Sequence, residues 1–156
     1  MMNISDLTQA VQTLNADDAM PAELTDAQWV NLAPYLTRHE IAAGDLLIRE
    51  GDVEQTMYLL ESGSLQVFVT LGTRASRRIA ILRSGSIVGE GGLFSDGPRM
   101  AHVEALTPCV LWALKREQLE QLSLKDPALA LALVHSAASV MAVRMRANLE
   151  RNVPMS

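Results

Sequence analysis

Glycines punctuate the middle of this chain at short intervals, at Gly44, Gly51, Gly63, Gly72 and Gly85, and the apolar runs between them are too brief for helices. Leu46-Leu47-Ile48, Tyr58-Leu59-Leu60, Leu65-Gln66-Val67-Phe68-Val69 and Ile79-Ala80-Ile81-Leu82 are each bounded by turn signals. Glycine at such boundaries serves turns that need positive φ. Many short strands at this spacing predict a sandwich or barrel, hence a mainly β fold with flanking helices. The 156 residues are one domain's worth, and 49% apolar against 20% charged residues is a globular profile. The chain shows no run of about eighteen apolar residues and no basic-then-apolar secretory leader, so a cytoplasmic protein without membrane contact is expected.

Helical patterns flank the strands. Ile4, Leu7, Val11 and Leu14 have helical spacing, with Ser5 or Asp6 as the expected cap, inside a helical segment 1–24. Asn15 to Pro21 is a break, and Thr25-Asp26 opens a second helix with Trp29, Leu32, Ala33 and Leu36 on its core face. Pro34 should keep that helix short. After Trp112 and Leu114, residues 115–124 read as a short helix. Asp126 then caps a long helix with Pro127 in its first turn, running to about Arg151, before a tail at 151–156. Its apolar positions form two seams, Leu129, Leu133, Ser136, Val140, Val143, Ala147 and, roughly opposite, Leu131, Val134, Ala138, Met141, Met145. A helix apolar on two sides needs two partners, expected to be the strands of its own domain and the same helix of a second copy, unless one seam is merely Ala-rich surface or folds back within the monomer.

Several chemistries find no support. The single Cys109 lies in an apolar run as a buried, inert thiol, and His39, His102 and His135 have no metal-ligand spacing, so no metal site is expected. No nucleophile–base pair is legible, and an enzyme is not expected. The net charge of −5 disfavours nucleic acid, and the cluster Arg74 to Arg78 reads as a solvated hairpin tip.

The stretch Gly89 to Ala101 stands apart, as an irregular insertion between the strand-like runs Ile79–Leu82 and Val103–Leu114. It sets Glu90 among Gly89, Gly91 and Gly92, then places Arg99 after Pro98. Glycines let backbone N–H groups approach a ligand, and a helical turn opening at Glu90 would aim several at one anion. Arg99 can grip that anion with a forked pair of donors. Ionised Glu90 only accepts hydrogen bonds, so it suits a hydroxyl beside the phosphate, as on a ribose. The plainer alternative is a loop whose two charges form a weak surface pair.

Gly89-Glu90, Leu93 and Pro98-Arg99 resemble the phosphate-binding cassette of cyclic nucleotide-binding domains, the family of the catabolite activator protein and the regulatory subunits of cAMP-dependent protein kinase. The resemblance takes in Ala43 to Asp52, Met57 to Leu65 and Ala105 to Leu114, about residues 25–150. It implies an eight-stranded β-roll of jelly-roll topology, with a cyclic nucleotide-binding domain over 25–150 that includes the helix 127–150. It also implies that Glu90 accepts from the ribose 2′-hydroxyl, that Arg99 pairs with the cyclic phosphate, and that amides of Gly89, Gly91, Gly92, Met100 and Ala101 complete the cradle. Leu93 would pack inward.

Two residues depart from the family pattern. Gly91 replaces a usual leucine or isoleucine, and Gly91-Gly92 weaken a cassette helix by roughly 1 kcal/mol each against alanine. Met100 replaces a small residue and offers no hydroxyl to a purine, which favours cAMP over cGMP. The expected function is a non-enzymatic cyclic nucleotide sensor without a separate cofactor, homodimeric through its last helix. The chain ends before any DNA-reading helix-turn-helix, so its output would fall on a separate protein partner. Alternatives are a dimerisation module with a degenerate pocket, or the sensor part of a transcription regulator.

Overall fold

The computed structural model describes residues 3–21, 23–72 and 75–151; the tail call beyond Arg151 and the call on Arg74 fall outside these residues. The described residues form four α-helices and eight strands in two four-stranded antiparallel sheets. The strands are β1 (Thr37–Ile41), β2 (Leu46–Ile48), β3 (Thr56–Ser62), β4 (Leu65–Leu71), β5 (Ala75–Leu82), β6 (Ile87–Val88), β7 (His102–Ala105) and β8 (Cys109–Lys115). The helices are α1 (Ser5–Thr13), α2 (Asp26–Leu32), α3 (Arg116–Lys125) and α4 (Pro127–Arg151). One sheet runs β1-β8-β3-β6 and the other β2-β7-β4-β5, so strands distant in sequence alternate between layers, as in the expected β-roll.

The central strands β3 and β8 of their sheet are covered on both faces, which explains their largely apolar sequences. Leu60, Val88, Cys109 and Leu111 face the roll interior and meet Ile48, Leu65, Val67, Val69, Ile79, Leu82 and Val103. The alternate residues Met57, Leu59, Ile87, Trp112 and Leu114 face outward into a second core with Leu7, Trp29, Leu32, Leu122, Leu129, Leu133 and Val140 of the helices. The Trp29 face is therefore core, as expected.

The glycines at 44, 51, 63, 72 and 85 all have positive φ, in keeping with turn roles. Other boundaries differ from the sequence reading. The run Val103–Leu114 is two strands, because the chain turns at Leu106–Pro108 between β7 and β8. Arg77 and Arg78 belong to β5, opposite Val69 and Phe68, with their side chains exposed. α1 takes Ile4 as its N-cap rather than Ser5 or Asp6, without a side-chain cap. Asn3 Oδ1 instead accepts from the Ser5 amide at 2.9 Å.

Thr25 closes a full capping box with Gln28 on α2, and Pro34 sits in a 3₁₀ turn, Ala33–Tyr35, that ends the helix. Asp126 Oδ1 caps α4 through the Leu129 amide at 3.2 Å.

α4 has a buried and an exposed face, but not residue for residue as the seams imply: Val134 of the outer seam packs on the helical core and Val143 of the inner seam is exposed. Leu129, Leu133, Ser136 and Val140 are buried, whereas Leu131 (68% exposed) and Met145 (47%) face out. Over its 25 residues α4 is also long and apolar enough, by length and mean hydropathy (1.6 over its best window), to cross a membrane, although it holds no unbroken run of eighteen apolar residues. Small neutral residues such as Ser136 and Ser139 interrupt the apolar run without lowering its mean much. Its inner face is nonetheless spent on the helical core.

Candidate functional site

Gly89 enters the left-handed region (φ 67°) and starts a 3₁₀ turn, Glu90–Leu93, so the expected helical turn forms at Glu90. Side chains are excluded at Gly89 and Gly92 by Ile48, Thr56 and Arg99 packed beneath. A Cβ on Gly89 would lie 2.7 Å from Ile48 Cδ1, and one on Gly92 would lie 2.7 Å from both Thr56 O and an Arg99 terminal nitrogen. At Gly91, by contrast, a Cβ would meet open space. Leu93 is buried, as the resemblance implies.

Arg99 is buried and runs under the turn. One terminal nitrogen donates to Gly89 O at 2.9 Å; the other donates to Thr56 O and to Glu54 Oε1, the latter at 3.1 Å. Its backbone is laced to the loop after β2, through Arg99 N to Asp52 O at 2.8 Å and Gly51 N to Arg99 O at 2.9 Å. The expected free fork is thus already engaged by the protein, and Nε is the arginine atom left buried with no partner among the described residues. A buried N–H of this kind is costly to leave unpaired, which makes it a site for an acceptor.

Tyr58 Oη donates to Glu54 Oε1 at 3.0 Å. Burial first, then the Glu54 charge, pushes the Tyr58 phenol well above its ordinary range, so it stays a donor and helps hold Glu54 against Arg99.

Glu90 is 1% exposed and is not paired with Arg99, against the surface-pair alternative. Its partner is Arg144 of α4, whose NH1 donates to Glu90 Oε2 at 2.8 Å. Arg144 also donates to Ile87 O at 2.8 Å and to Asp18 Oδ2 at 3.0 Å. A cavity of about 170 Å³ lies beside this cluster, lined by Val67, Ile79, Leu82, Val143 and Ala147 together with the polar Asp17, Asp18, Arg144 and Asn148. A second cavity, of about 360 Å³, opens over the cassette at Gly91, Gly92, Arg99, Met100 and Met141.

The structure thus gathers Gly89, Glu90, Gly92 and Arg99 tightly, with Ala101 buried in the roll. Met100 is 55% exposed, and the Gly92 amide is taken up by Gly89 O at 3.1 Å. Sequence reasoning missed Glu54, Arg116 and Arg144. Arg116, at the start of α3, grips the far end of the turn by donating to Leu93 O, Gly92 O and Ser95 O, and reaches Asp96 Oδ1 at 2.6 Å. A cation at the carbonyl end of a helical turn is favourably placed. Its hydrogen bond and charge also hold the exposed Asp96 carboxyl below its ordinary range.

Cys109 is buried, and burial pushes its thiol up, which keeps it unreactive. Among the described residues no group of three or more His, Cys, Asp or Glu is arranged to hold a metal ion.

With this geometry in view, comparison with known proteins defines the class. The family model of the cyclic nucleotide-binding domain matches residues 38–126, and the chain belongs to that family. It is 33% identical over 93 residues to the cAMP-dependent protein kinase regulatory subunit of Blastocladiella emersonii, covering 60% of this chain and 23% of that protein. It is also 33% identical over 112 residues to the cyclic AMP receptor protein of Thermus thermophilus, covering 72% of this chain and 50% of that one. The chain thus spans half or less of the length of these relatives.

Among solved structures, a cyclic nucleotide-binding domain from Methylobacillus flagellatus shares the fold (TM-score 0.81, 21% identity, 95% of this chain and 81% of that one). The Thermus thermophilus catabolite activator protein aligns with a TM-score of 0.70 at 31% identity, over 83% of this chain and 59% of that one.

Proposed function

We propose that this domain is a regulatory sensor that binds a cyclic mononucleotide, cAMP in preference to cGMP, and passes the bound state on through its helices. The observation that carries the reading is the buried Nε of Arg99 under a glycine turn, without a partner among the described residues. That donor and the cassette amides suit a singly charged cyclic phosphate, and the buried carboxylate of Glu90 suits the adjacent sugar hydroxyl. Met100 brings no hydroxyl to a purine, and the two relatives described above are named for cAMP.

The domain acts as a homodimer. The outer face of α4, with Leu131, Met145 and Leu149 exposed, continues into a groove lined by Phe94, Ala138, Met141 and Ala142 that suits the same helix of a second copy. Because Phe94 and Met141 border the cassette, ligand and dimer contacts adjoin, and binding shifts the helices only by the difference in affinity between their two positions.

Calorimetric titration with cAMP and cGMP tests the binding claim. Saturable binding, tighter for cAMP and weakened about 100-fold in folded Arg99→Lys, is expected, since lysine cannot supply the Nε donor and the fork together. Folded wild-type protein, freed of co-purified ligand, that gives no heat and no thermal shift with either nucleotide would overturn it.

A further inference from the structure

The segment between α1 and α2 places carboxylates beside the site that the cassette pattern does not call for. Asp17 and Asp18 line the cavity under α4, and Asp18 Oδ2 accepts from Arg144 Nε at 3.0 Å. The same guanidinium donates through NH1 to Glu90 Oε2 and through NH2 to Ile87 O, both at 2.8 Å. Its nitrogens are therefore committed to the N-terminal segment, the cassette and β6. The Asp18 side chain is 27% exposed and that of Arg144 12%, so the contact is largely shielded from water.

We propose that Asp18 is a positioning residue for the site's sugar-hydroxyl acceptor, acting on Glu90 through Arg144. The inference rests on the reading of Glu90 as that acceptor. A guanidinium shared by two carboxylates neutralises neither completely, so Glu90 keeps the negative character that a ligand hydroxyl needs. Three bonds from one rigid plane also fix where Glu90 Oε2 lies. Without the Asp18 charge, Arg144 is free to turn its full charge on Glu90, and the carboxylate becomes a poorer acceptor. The phosphate end is insulated from this change, because Arg99 is held by Gly89 O, Thr56 O and Glu54 and shares none of these bonds with Arg144.

The test is titration of the full chain, as wild type, Asp18→Asn and Asp18→Glu, with cAMP and with 2′-deoxy-cAMP. Wild type should prefer cAMP. Asp18→Asn should cut that preference by about threefold or more, through weaker cAMP binding alone, with 2′-deoxy-cAMP affinity unchanged. Asp18→Glu, which restores the charge, should recover most of the preference.

An unchanged preference in Asp18→Asn, or equal weakening toward both ligands, would overturn the assignment, the latter by showing a merely structural contact. Wild type that binds both ligands equally would overturn it by removing Glu90 as a hydroxyl acceptor. Wild type that binds neither would overturn the nucleotide reading itself, a result distinct from all the others.

Discussion

The two ends of the candidate site are built in different ways. The cassette end comes from contiguous chain, where Gly89, Glu90, Gly92 and Arg99 lie within eleven positions and the glycines make room for the arginine beneath them. The α4 end is assembled across the fold, with Arg144 joining Glu90 from 54 residues away and Asp18 from 126. A local motif can fix the shape of an anion cradle. The charge that balances a buried carboxylate has to come from wherever the fold delivers it.

Breaking the long-range end should cost most. Arg144→Met would leave Glu90 buried without its cation, and a loss of about 3 kcal/mol in denaturant unfolding is expected. No change in stability would show that Glu90 is not held by this pair. The local end can be probed at two adjacent glycines with opposite outcomes. Gly92→Ala would drive a Cβ into Thr56 O and Arg99, losing about 2 kcal/mol. Gly91→Ala enters open space at an ordinary φ, and a gain of about 0.5 kcal/mol is expected from the stiffer unfolded chain. Equal effects at the two positions would contradict the packing described here.

The smallest effect lies at the cassette's outer grip. The Asp96 carboxyl is lowered from its ordinary 3.8 by the hydrogen bond and charge of Arg116. Its folded value thus lies below its unfolded one, so its contribution is present above the unfolded value and is lost as pH falls through the folded one. A carboxyl carbon-13 titration should find its midpoint below 3.8 in wild type and closer to that value in Arg116→Gln. Coincident midpoints would remove the contact.

Much of this was legible in the sequence, for reasons specific to each element. Strands β2 to β5 announced themselves because glycine turns bound compact apolar runs, and α4 because Asp126-Pro127 opens a long apolar periodicity. β1 did not, since Thr37-Arg38-His39-Glu40-Ile41 is an edge strand pairing only with β8 and carries mostly polar residues. β6 is two residues long, below any useful period.

At the site, Glu90 and Arg99 were legible because they lie close together among glycines in one short stretch, even though most of the partners that hold them come from elsewhere in the chain. Glu54, Arg116 and Arg144 were not, because their roles depend on partners that only folding brings near. One signal was available for Arg144: it follows Val143 on the inner seam of α4, and a cation beside an inward face must find a carboxylate.

The account turns on one N–H. In a nitrogen-15 correlation spectrum, the Arg99 Nε–H resonance followed through a titration with cAMP, and in parallel with adenosine, reads it directly. A large downfield proton shift with cAMP and none with adenosine is the predicted result, because only cAMP brings a phosphate oxygen to that donor. An Arg99 resonance unmoved by saturating cAMP, while other cassette amides shift, would contradict the claim that this arginine is the phosphate's partner.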